Sequence, residues 1–122
     1  ATYVAILCQC EYAIANHGAN FRMYLSNDAR ADAILSILAD DDLSKIENDQ
    51  MRAALEYTRK LSLTPESVQA SDIETLRTAG FCDKGISYII QIAASFGYWA
   101  RMINGLGTRL GAQIGIMGNP DT

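Results

Sequence analysis

Basic residues are scarce in this chain, with ten Lys and Arg against fourteen Asp and Glu and a net charge of −4. No clustered basic surface can come from that balance, which excludes a nucleic-acid footprint as a main function. No apolar run reaches the roughly 18 residues that span a bilayer. The longest, ISYIIQIAASFGYWA, carries Gln91 and stops at Arg101, so it reads as a buried helix. Cysteine is sparse and odd in number, three residues with two of them separated by a single residue. That is a poor disulfide framework and predicts a reducing, cytoplasmic setting. The opening ATYVAILCQC also lacks the basic region that starts a secretory leader. There is one histidine. Alternating strand patterns, internal repeats and low-complexity segments are all missing.

What is present is helical periodicity and enough apolar residues, 49%, for one globular domain over residues 1–122. Thr2 to Tyr24 places Tyr3, Val4, Leu7, Cys10, Ile14 and Phe21 near a 3.6-residue repeat and predicts one helix. SND at 26–28 offers a cap for a second helix over 29–39. DDD at 40–42 reads as a solvated turn. A third helix is predicted from Glu47 to Leu63, with Met51, Ala54, Leu55, Thr58 and Leu61 on its apolar face. Thr64 and Pro65 then suit the start of another turn. SDIE at 71–74 reads as a capping box for a short helix stopped by Gly80. Asp83 caps a long last helix carrying Ile86, Ile89, Ile90, Ala93, Gly97, Ala100 and Ile103 on one stripe. GLG at 105–107 weakens its end, and GNPDT reads as a frayed tail. The fold class expected is all-α, a bundle of about five helices. Tyr98 and Trp99 are either core or subunit interface, and Arg101 suits a buried interface ion pair, or else the lining of a pocket.

Chemistry gathers in CQCEYAIANHG, residues 8–18. On a continuous helix Cys10, Ala13 and His17 share a face. Cys8 points elsewhere, so a Cys8–Cys10 disulfide would require unwinding. At about 1.5 Å of rise per residue, Cys10 lies roughly 10 Å from His17 along the axis and position 13 about 6 Å. Cys10 reads equally as a small buried hydrophobe or as a reactive thiol. His17 reads as a histidine lining a helix face or as an acid–base group. Cys8 and Cys82 read as structural and Glu11 as solvated. Zinc held by Cys8, Cys10 and His17 is disfavoured, because the two thiolates diverge. No metal and no cofactor are expected.

The segment CEYAIANH resembles the C-x-x-C-x-x-x-H active-site motif of the AhpD-like alkylhydroperoxidases, with Ala13 where the second cysteine belongs. The group includes the carboxymuconolactone decarboxylases and a peroxidase-related branch. HGANFR, AALEYTRKLSLTPESV, SDIETLRTAGFCDKGI and ARMINGLG resemble that branch in the same order. The resemblance implies an AhpD-like helical fold assembled as a dimer, trimer or hexamer. It implies a peroxidatic thiol at position 13, a resolving thiol at Cys10 and His17 as relay base, with a dithiol reductant as partner. It further implies a relay glutamate upstream of Ala1, and an N-terminal helical region without a counterpart here. Ala13 cannot attack a peroxide. Three activities follow as expectations: residual peroxidase chemistry through Cys10, binding of a small apolar or carboxylate ligand without redox turnover, or a cysteine-independent decarboxylase-like reaction. The last would use His17 as acid or base, with Arg22 as the nearby arginine to hold a carboxylate. Arg101 stands in a segment where relatives carry an Asn-Arg pair.

Overall fold

A computed structural model describes residues 1–110, and the GNPDT tail lies outside them. The described residues are all-α, with no strand among them. The helices are α1 (Thr2–Leu7), α2 (Glu11–Leu25), α3 (Asp28–Ala39), α4 (Asp49–Leu63), α5 (Ala70–Thr78) and α6 (Asp83–Leu106). Short 3-10 turns at Leu43–Lys45 and Pro65–Ser67 flank α4. No described helix is long and apolar enough to cross a membrane.

The first predicted helix is in fact two. Gln9 takes a left-handed conformation at φ 51. Its amide donates to the Ile6 carbonyl and the Cys10 amide to the Ala5 carbonyl, both at 2.9 Å. This pair of bonds is a Schellman stop, which satisfies the carbonyls at the end of α1. No glycine or proline announces it, and the apolar spacing runs on across the break. The short α1 is surrounded, packing against α2, α3, α4 and α6. Four consecutive residues, Thr2, Tyr3, Val4 and Ala5, are therefore buried, a pattern no amphipathic surface helix gives.

The other boundaries follow local chemistry modified by long-range pairs. Asn27 caps α3, its side chain accepting from the Arg30 amide at 3.0 Å. Asn48 caps α4 in the same way through the Met51 amide at 2.7 Å. The expected box at Ser71 and Glu74 is displaced two residues upstream. The Asp72 carboxylate accepts from the Gln69 backbone amide at 2.7 Å and from the Lys60 ammonium at 2.8 Å. Lys60 reaches across from α4 and draws Asp72 into the cap, while Glu74 pairs with Arg77. Cys82, rather than Asp83, is the N-cap of α6. Asp83 pairs with Arg77 at 2.8 Å.

The acidic run is not merely a solvated turn. Asp41 accepts from the Tyr3 hydroxyl and from Arg59 Nε at 2.9 Å, tying α1 to α4. One apolar cluster sits above this junction, built on Tyr3, Leu38, Leu43 and Ile46. A second joins α4, α5 and α6 through Tyr57, Leu76 and Ile86. A third, smaller cluster contains the cysteines discussed next.

Candidate functional site

The stop after α1 reorients the chain so that Cys10 becomes the N-cap of α2, with extended backbone at φ −96, ψ 94. Cys10 is thus not on a helical face with Ala13 and His17, as continuous-helix geometry predicted. It flanks the first turn, and Ala13 is the third residue of that turn. Side chains at these two positions meet at a helix start, as the reciprocal bonds of a capping box require. Cys10 and Ala13 are buried in one cluster with Ala5 of α1 and Ala100 of α6. Cys10 has 0% of its surface exposed. Cys8, Ile14 and Ile103 pack at the edge of the cluster. The Asn104 side chain donates to the Cys8 carbonyl at 2.9 Å, pinning the Cys8–Cys10 turn to the end of α6.

His17 stands one turn beyond Ala13 and is half-buried. Its ring meets Phe96 of α6 edge-on, at 4.7 Å between centroids and 87° between planes. Burial lowers the imidazole pKa below its ordinary value, so the ring is mainly neutral at pH 7. A neutral imidazole is a proton acceptor, the state a relay base needs. Among the described residues no hydrogen bond joins His17 to Cys8 or Cys10. The fold therefore unites Cys10 with Ala13 and sets His17 on the next turn against α6.

Cys8, Cys10 and Cys82 are all free thiols, and Cys82 is exposed at the start of α6. Cys8 and Cys10 are not joined, though the reason is not the one expected from an unbroken helix. Glu11 is exposed at the first position of α2, where a carboxylate suits the positive end of the helix dipole. Among the described residues no three His, Cys, Asp or Glu side chains gather as a metal set.

Arg22 is engaged. Its guanidinium pairs with Asp32 of α3 at 2.6 Å. Both border an open groove of about 970 Å³ between α1, α2 and α3, lined by Ile6, Ile14, Gly18 and Leu35 among others. His17 does not line that groove. Arg101 makes no ion pair among the described residues of its own chain. Its Nη1 folds back on its own helix and donates to the Gly97 carbonyl at 2.9 Å. Tyr98 and Trp99 are not core either. Both are more than half exposed, in edge-on contact with each other at 5.0 Å.

Sequence reasoning missed Phe96 and Asn104 as partners of this site. Asn104 had a signal. It follows Ala93, Gly97 and Ala100 at helical spacing, which sets its amide at the exposed end of the buried stripe, beside the Cys8 carbonyl. Phe96 had none, since only the packing of α2 on α6 brings it to His17. In comparisons with known proteins, no family model matches the chain and no curated protein matches it significantly.

Proposed function

We propose that this is an AhpD-like protein of peroxidase ancestry in which hydroperoxide reduction has been lost at Ala13. One observation carries the reading. Cys10 caps α2, position 13 meets it at the first turn, and a neutral His17 follows one turn later. In an active member of the family that the motif resembles, thiols would occupy positions 10 and 13. The thiol at 13 would attack the peroxide, and Cys10 would then close the disulfide. Here position 13 carries only a methyl group. Cys10 is enclosed by Ala5, Ala13 and Ala100, with none of its surface exposed. Both features argue against one-cysteine turnover.

The decarboxylase-like alternative is less well supported. It needs a free cation to hold a substrate carboxylate near His17, and Arg22 is committed to Asp32. The three free thiols fit a reducing, cytoplasmic compartment.

The test is turnover of an organic hydroperoxide with a dithiol reductant, alongside timed alkylation of the native protein. Consumption at the uncatalysed rate is expected, with Cys82 labelled much faster than Cys10. Rapid turnover that disappears in Cys10→Ser and in His17→Ala would overturn the proposal.

A further inference from the structure

The longest helix leaves one face without a partner. On α6 the residues Tyr88, Ile92, Ser95, Trp99, Met102 and Leu106 follow one another in alternating steps of four and three. That is the 3.5-residue spacing of a coiled-coil seam. The opposite face, with Ile86, Ala93, Gly97 and Ala100, is buried in the domain. Tyr88, Ile92, Tyr98, Trp99, Met102 and Leu106 lie between 36% and 56% exposed. From Gly85 to Ala100 the helix has no charged residue at all. A surface helix that faced only water would carry charge there.

Ser95 on the stripe and Gln91 beside it are hydrogen-bonded within the helix. Ser95 Oγ donates to the Gln91 carbonyl at 2.7 Å, and Gln91 Nε2 donates to Ser87 Oγ at 2.9 Å. Burying the Ser95 hydroxyl at the centre of the seam would strand no donor. Half-exposed side chains of this size each offer on the order of 100 Å². Together they present roughly 600 Å² per copy, the upper range of apolar patches on monomers. Two such faces joined bury about 1,200 Å², where specific stable interfaces begin.

We propose that this stripe is a two-fold seam in which α6 pairs antiparallel with α6 of a second copy. A self-complementary stripe is what a two-fold contact requires. Antiparallel pairing about Ser95 sets the small serine against its own copy and leaves room for Trp99 beside Ile92. Tyr88 then faces Met102 across the seam. Parallel pairing would instead set Lys84 beside its own copy and align the two helix dipoles. Phe96, the edge-on neighbour of His17, lies on the flank of the same helix, so the seam runs beside the site. The inference does not depend on the redox reading.

Sedimentation velocity of the full chain tests it. The expected mass is twice the 13.3 kDa of one chain, or a larger assembly built on that pair. Ser95→Arg should shift the dissociation constant upward by at least 100-fold, with unchanged helical circular dichroism. Trp99 is the sole tryptophan. Its emission should move to shorter wavelength as concentration rises in the wild-type chain and not in Ser95→Arg. In a Cys82→Ser background, Tyr88→Cys combined with Met102→Cys should give an intermolecular disulfide that neither single substitution gives. A wild-type monomer at high micromolar concentration would overturn the proposal, including one whose stripe is covered by residues 111–122. So would an assembly indifferent to both Ser95→Arg and Trp99→Glu, or cross-links through position 88 alone.

Discussion

Introducing a thiol by Ala13→Cys should produce a disulfide with Cys10 without unwinding α2. Within a continuous helix, two thiols three residues apart close a bridge only with distortion. Here Cys10 already lies outside the helix with extended backbone, so its side chain faces the third residue of the first turn. Two opposing energies follow. In the reduced state, sulfur is added to a cluster in which Ala13 packs on Ala5, Cys10 and Ala100, and overpacking of that kind costs about 1–3 kcal/mol. In the oxidised state, closing a four-residue loop recovers about 2 kcal/mol by chain entropy. The oxidised variant should therefore match the wild-type chain in stability to within about 1 kcal/mol, and the reduced variant should fall below it. For a domain of this size the gap between the two redox states corresponds to a Tm difference on the order of 5–10 °C. With the upstream glutamate that the motif's resemblance implies also supplied, the same variant should gain hydroperoxide reduction. The introduced thiolate would attack a peroxide oxygen, releasing the alcohol and leaving a sulfenic acid. The Cys10 thiol would displace water from it to form the disulfide, which a dithiol then reduces. Adding His17→Ala should slow this on the order of 100-fold. Melting curves with and without reductant, the loss of two hydrogens by mass spectrometry and peroxide consumption are the assays. A folded, oxidised variant without the disulfide would refute the placement of Cys10 at the helix cap. Rapid disulfide formation with no peroxide turnover, the glutamate being supplied, would move the ligand-binding and decarboxylase-like readings ahead.

Tyr3→Phe should cost about 1 kcal/mol, because it removes a hydrogen bond to the carboxylate that joins α1 to α4 at a partly solvated position. The Tyr3 hydroxyl and Arg59 hold Asp41 below the ordinary carboxylate range, so its contribution is complete above about pH 4 and disappears as pH falls through the lower folded value. Burial, and then Asp41, raise Tyr3, so that group contributes below about pH 10 and its share is lost as pH rises through the higher folded value. Urea unfolding across pH should show both limbs, with the acid limb flattened in Asp41→Asn; an unchanged acid limb would remove Asp41 from the account. Gln9→Gly should stabilise the chain by about 0.5–1 kcal/mol, since the left-handed residue of a Schellman stop favours glycine. A loss of stability in that variant would contradict the stop.

Local chemistry alone determined the helical class and most of the punctuation. The 3.6-residue spacing of α4 and α6, the Asn27 cap and the left-handed Gly80 are readable because each depends on residues within a turn or two of one another. The motif at Cys10, Ala13 and His17 was equally legible as a set of positions. Its geometry was not, because Gln9 has no side-chain signature for the left-handed turn it makes. That turn exists because α1 is enclosed by four other helices, and α2 must bend away to cover it. Tertiary contacts also decided which carboxylates do what. Lys60 drew Asp72, not Glu74, into the α5 cap, and Tyr3 with Arg59 turned Asp41 from a loop charge into a link between helices. Trp99 and Tyr98 are apolar in the sequence whichever side of α6 they occupy. Only the packing of Ala93, Gly97 and Ala100 against the domain decided that the aromatics face outward, since a helix buried along one stripe must turn its other stripe to solvent or to a partner.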